Sequence, residues 1–176
     1  MSNMQLGEDT ITMSMTLNPV NEAAFQKAVQ SLETLNRAAV FHPTGTGKSC
    51  IAWKVVEAHP QTTFFWLVAG AQRLALRQAE LTRYNGGTLP GNVRFCDCEK
   101  LAAATPEQWV RLGEQKPGCV VLDCYHELSA VCWAQSVQKL LRMCPQAKVL
   151  GLGVPNGAPV CAAAQELFAD CIVSHM

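Results

Sequence analysis

The stretch AAVFHPTGTGKSCIAWKVVEAHP, residues 38–60, joins an apolar run, a glycine-rich loop and a helical run in that order. AAVF (38–41) reads as a short buried strand. The loop HPTGTG can turn successive backbone N–H groups inward toward an anion, and the helix that follows presents its positive end to the same point. That helix, SCIAWKVVEAH, is stopped by Pro60. Lys48 is placed to reach the terminal phosphates of a nucleotide and Ser49 to ligate Mg²⁺. His42, Pro43, Thr44, Gly45, Thr46 and Gly47 complete the candidate phosphate loop, with His42 standing where the full pattern has its first glycine. A nucleoside triphosphate is the expected ligand.

Upstream of this unit, Asn21 is placed to cap a helix in which Phe25, Val29 and Leu32 recur at helical spacing. Residues 1–20, polar and rich in methionine, read as a flexible leader, and 21–176 as one domain. Downstream, the alternation repeats. TFFWLV (63–68) is a strand, AQRLALRQAELTRY (71–84) a helix, Gly86-Gly87 a turn and NVRF (92–95) a short strand. Thr105-Pro106-Glu107-Gln108 carries a capping residue, a proline at the first helical position and a capping-box glutamine, so WVRL continues a helix. CVVLD (119–123) is a strand, WAQSVQKLLRMC (133–144) a helix and KVLGLGV (148–154) a strand. Strands that are apolar throughout and alternate with helices define an α/β fold: a parallel sheet with helices on both faces.

Hydrophobic residues make up 49% of the 176 residues and charged residues 16%, with Lys+Arg 14 against Asp+Glu 14. That is enough apolar material for one core, and it excludes disorder and bulk attraction to an acidic partner. No apolar run approaches membrane-spanning length and residues 1–15 lack the pattern of a signal peptide, so a cytoplasmic protein with no membrane partner is expected. The nine cysteines are odd in number and form no C-x-x-C pair, which reads as reduced, mostly buried thiols.

Asp123 closes the strand CVVL, where its carboxylate can face a magnesium ion at the carboxyl edge of the sheet. Cys124 follows it. A glutamate there would orient the attacking water, and a thiol holds no comparable charge and accepts hydrogen bonds poorly. Cys124 therefore reads as an inert buried thiol. His126 and Glu127 could approach the phosphates, though their offset from Asp123 reads as structural. Lys54, Arg73, Arg77 and Arg83 could touch a nucleic-acid backbone; being scattered, they read as a solvated face.

The quoted stretch resembles motif I of superfamily 2 DEAD/DEAH-type helicases, particularly bacterial members related to the ATP-binding lobe of type III restriction enzymes. FFWLVAGAQRLALRQ lies where motif Ia lies in that family, VLDCYHELSA where the D-E-x-H motif II lies, LGLGVPNGAP where motif III lies, and AQELFADCIVSHM resembles the segment after it. The resemblance implies a P-loop NTPase, RecA-like three-layer sandwich, with ATP and Mg²⁺ as cofactors. It implies that Lys48 and Ser49 bind phosphate and metal, that Asp123 holds the metal, and that Gln26 reads adenine. Cys124 in place of the catalytic glutamate, and Gly153-Val154-Pro155 in place of the hydroxyl-bearing motif III, depart from the family. The second RecA-like lobe is expected to be absent from these residues.

Three readings follow. The first is an ATP-binding lobe of helicase descent, impaired in hydrolysis. The second is a non-catalytic interaction module that docks on an intact helicase or restriction subunit. The third is an ATPase completed in trans by a second helicase lobe. Nucleotide binding separates the first from the second, and turnover on adding a lobe separates the third.

Overall fold

Asn18 opens the first helix. In the computed structural model, which describes residues 15–123, 131–154, 166–168 and 171–174, its side chain accepts a hydrogen bond from the Asn21 backbone N–H at 2.8 Å. Pro19 takes the first helical position, so α1 runs Pro19–Leu35. The helix therefore starts inside the segment expected to be a leader, and Met15 already packs against the core. Asn21, expected as the cap, sits instead in the first turn, because the Asn-Pro pair just before it supplies both the cap and a preset backbone angle.

The alternation then unfolds largely as the residue pattern requires. β1 (Arg37–Phe41) leads through the glycine loop into α2 (Lys48–Ala58), β2 (Phe64–Val68) into α3 (Ala71–Tyr84), and β3 (Val93–Asp97) follows the Gly86-Gly87 turn. Two short elements were not legible. Asp97 accepts from the Glu99 backbone N–H at 3.0 Å and starts α4 (Cys98–Ala102), whose five residues are too few to display a period. The three-residue β6 (Ile172–Ser174) lies along β1. Between them, Thr105 and Gln108 form the expected capping box of α5 (Pro106–Glu114), β4 is Cys119–Asp123, α6 is Val131–Met143 and β5 is Lys148–Gly153.

All the strands are parallel, in the order β3-β2-β4-β5-β1-β6. Side chains alternate across a strand, and here both faces are apolar. Ala38, Val40, Phe64, Trp66, Val121, Leu150 and Leu152 pack with α1, α2 and Leu81 of α3. Ala39, Phe65, Leu67, Val120, Leu122 and Val149 pack with Leu101, Trp109, Val137 and Leu140 from α4, α5 and α6. Burying each large side chain contributes about 1.5–3 kcal/mol, and this packing on both faces holds the two layers of helices to the sheet. The same alternation puts Asp123, two residues beyond Val121, on the face that carries α2 and α3. Among the described residues no helix is long and apolar enough to cross a membrane.

Candidate functional site: a phosphate loop facing an aspartate at the carboxyl edge

β1 and β4 are separated in the sheet by β5 alone. Strands lie ~4.8 Å apart, so their carboxyl ends are roughly 10 Å from each other. In the register, Val40 and Asp123 both pair with Leu152 of β5, which sets the aspartate level with the end of the strand that feeds the loop. A cavity of about 460 Å³ opens there, lined by Thr44, Gly45, Gly47, Lys48, Ser49 and Cys50 from the loop and α2, by Asp123, and by Leu152 and Val154. Its remaining wall is Arg77, Glu80 and Tyr84 of α3.

The loop's shape rests on glycine at two points. Gly45 has φ +80 and Gly47 φ +89, in the left-handed region that disfavours side chains. A Cβ on Gly47 would also stand 2.8 Å from Asn21 Nδ2. That amide donates to the Thr46 carbonyl at 2.8 Å, tying α1 to the loop. Thr46 Oγ1 donates to the Pro43 carbonyl at 2.7 Å. Lys48 Nζ donates to the carbonyls of His42, 2.9 Å, and Pro43, 2.8 Å, which holds its charge over the loop's mouth. The N-cap of α2 is Gly47, with no side-chain capping bond, so the helix keeps its positive end for an anion.

His42 replaces a glycine without entering this cavity. Its side chain is fully buried and lines a separate hollow with Pro19, Ala23, Ala24 and Val173, beneath α1. Gln26 is not brought to the loop's cavity: it is exposed on α1, where its Nε2 donates to Glu22 Oε1 at 2.9 Å. Cys124, His126 and Glu127 lie outside the described residues.

Arg77 corrects the reading of α3 as a solvated basic face. Its side chain keeps 25% exposure and bridges to Asp123, which keeps 3%. Arg77 Nε donates to Asp123 Oδ2, Nη2 to Oδ1 at 3.3 Å, and Nη1 to Glu80 Oε2 at 2.6 Å. Trp66 Nε1 donates to Asp123 Oδ2 at 3.4 Å. Burial opposes the charge on Arg77, but the hydrogen bonds and attraction of Asp123, and then of Glu80, outweigh it and hold the guanidinium above its ordinary pKa. Two of the other bases are also engaged: Lys54 pairs with Glu57, and the Arg83 guanidinium lies 5.2 Å from the Tyr84 ring centre. One signal in the sequence pointed to the missed wall. Arg77, Glu80 and Tyr84, spaced by three and four, share one side of α3.

Among the described cysteines, Cys98, Cys119, Cys144 and Cys171 are buried and Cys50 and Cys96 partly so. Burial pushes Cys96 up to about 11 and Cys119 up to about 12, the latter against the pull of Lys148. Cys50 Sγ donates to Tyr84 Oη at 3.3 Å, and burial, with Cys50, raises the Tyr84 phenol. Among the described residues no group of three or more His, Cys, Asp or Glu is placed to hold a metal ion.

The donor set fits phosphate and does not, as arranged, fit a divalent cation. Mg²⁺ takes oxygen ligands, and Ser49 and Asp123 are the expected ones. Both carboxylate oxygens of Asp123 are already bonded to a guanidinium with a permanent positive charge.

This is the RecA-like α/β fold of helicase domains. The chain is similar in structure to the UvsW helicase from bacteriophage T4, with a TM-score of 0.67 and 12% identity, over 91% of this chain and 60% of that one. It is similar to the DUF1998 helicase MrfA bound to DNA, with a TM-score of 0.66 and 14% identity, over 90% of this chain and 27% of that one. MrfA bound to DNA and AMPPNP gives a TM-score of 0.64 at 14% identity, over 91% of this chain and 29% of that one. The chain thus spans 60% or less of each of these structures. The sequence matches no protein-family model and no curated protein.

Proposed function

We propose that this chain carries the ATP-binding lobe of a superfamily 2 helicase-like protein, of the kind related to type III restriction enzymes, and that its hydrolysis is impaired. The observation that carries the reading is the shared cavity. A glycine loop, Lys48, Ser49 and the open end of α2 face it from one side, and Asp123 from the other. Its volume suits a small ligand. The loop and helix end supply N–H donors to the phosphates, and Lys48 supplies a compact charge that can leave the loop carbonyls for the terminal phosphate. MrfA, whose structure with AMPPNP has the same fold, supports a nucleotide as the ligand.

Impairment rests on Cys124. Phosphoryl transfer depends on placing a water and neutralising charge, and a thiol at that position does neither. Completion of the site by a second helicase lobe or restriction subunit, and a cytoplasmic location, belong to the same proposal. Nucleic acid is the remaining partner of the reading, supported by the DNA-bound state of MrfA. The test is thermal unfolding with ATP. The chain should be stabilised by about 2.7 kcal/mol at a hundredfold excess of ATP over the dissociation constant, and Lys48→Ala should not respond. A parent chain that melts cooperatively and ignores ATP would refute the proposal.

A further inference from the structure

We propose that Arg77 takes the place of a divalent cation beside Asp123, so that this site receives nucleoside phosphates without requiring a metal. The inference rests on the phosphate-site reading above and deepens it.

Three observations converge on Arg77. First, its fork engages both carboxylate oxygens of Asp123, through Nε and Nη2, which is the geometry in which a guanidinium competes best for a carboxylate. Second, the pair is anchored at both ends. Glu80 holds Nη1 at 2.6 Å, and Asp123, itself nearly fully buried, also receives Trp66 Nε1. A metal ion binding Asp123 directly would have to break the fork and would leave the guanidinium beside a dication. Third, Arg77 lines the same cavity as Lys48 and Ser49. Phosphate oxygens entering there meet a planar donor that binds them as readily as it binds carboxylate, and that cannot lose its charge. One cation thus compensates the buried acid and faces the phosphates, the two tasks a bound metal would otherwise perform.

The experiment is calorimetric titration of the chain with ATP in excess EDTA and in excess MgCl₂, together with titration of the nucleotide-free chain with Mn²⁺ followed by electron paramagnetic resonance. For the parent, the ATP dissociation constant should differ by less than about fivefold between the two solutions, and no site-bound Mn²⁺ should appear. In Arg77→Gln the freed Asp123 should accept the ion, so that removing Mg²⁺ weakens ATP binding by about tenfold or more. If that variant fails to fold, Arg77→Gln with Asp123→Asn removes both charges, and should bind ATP more weakly than the parent by about tenfold in both solutions. A parent that loses about fivefold or more of its affinity in EDTA overturns the proposal while leaving the phosphate site standing. A folded parent that binds ATP in neither solution overturns both.

Discussion

The side-chain amide of Asn21 donates to the main-chain carbonyl of Thr46 at 2.8 Å, so a residue in the first turn of α1 holds the phosphate loop from 25 positions away. The amide is buried, and its removal leaves a loop carbonyl without that donor. Asn21→Ala should lower stability by about 1 kcal/mol, which for a domain of this size is a fall of roughly 2–4 °C in midpoint. Asn21→Asp, which keeps the shape but sets a carboxylate oxygen against that carbonyl, should lose at least as much. Differential scanning fluorimetry checks both, and an unchanged midpoint in the two variants would show that the loop holds its shape unaided.

The two loop glycines should respond differently to alanine. Gly45 and Gly47 both have positive φ, which costs an alanine about 1–2 kcal/mol at either place. The space beside Gly45 is open, whereas a Cβ at Gly47 meets Asn21 Nδ2 at 2.8 Å. Gly47→Ala should therefore destabilise more than Gly45→Ala, by about 1 kcal/mol, and adding Asn21→Ala should recover part of the difference. Urea unfolding of the single and double variants measures this coupling. Equal losses at the two glycines would place the constraint in the backbone alone.

Turnover should be low. On the proposed reading, in which Cys124 stands for the water-orienting glutamate, phosphate release from ATP by the unmodified chain should fall short of an intact site by several kcal/mol of barrier, on the order of 10³-fold. Cys124→Glu together with a second helicase lobe supplied in trans should raise it, and Cys124→Glu alone should do less. Robust phosphate release by the parent chain alone would contradict the impaired reading and direct attention to His126 and Glu127.

Alkaline pH should destabilise the chain by way of two thiols that burial keeps protonated. Cys96 and Cys119 have native pKa values raised from 9.0 to about 11 and about 12. The unfolded chain releases these protons first, so stability is complete below pH ~9 and falls as pH rises through the native values, by up to about 1.4 kcal/mol per pH unit for each thiol that stays protonated. Unfolding free energies measured at pH 8 and pH 10 should show the decline, and Cys119→Ala should reduce its slope.

The layout of the sheet was legible because its strands are apolar on both faces and each is followed by a helix or a glycine turn. AAVF, TFFWLV and CVVLD cannot be placed anywhere but inside. Asn21 shows where local pattern fell short. As a residue it suits a cap, but Asn18-Pro19 satisfies that role first, and only the folded chain brings Asn21 against Thr46. α4 and β6 are too short to carry a period, so their formation depends on neighbours distant in sequence. Arg77 was misplaced for a related reason. Scattered bases look solvated until the sheet order sets α3 across from the end of β4, and no spacing within the chain reports that encounter. Gln26 carried a role by position alone, and α1 turns it outward.

α3 has a single buried residue, Leu81, among its fourteen. It nevertheless supplies Arg77, Glu80 and Tyr84 to the cavity wall. An element with so few buried apolar contacts opens at little cost relative to the sheet beneath it. Amide protons of α3 should accordingly exchange with deuterated solvent well ahead of those of β2 and β4. The wall carrying the cationic fork is thus the part of the site that can breathe while the strands that hold Asp123 and feed the glycine loop stay closed.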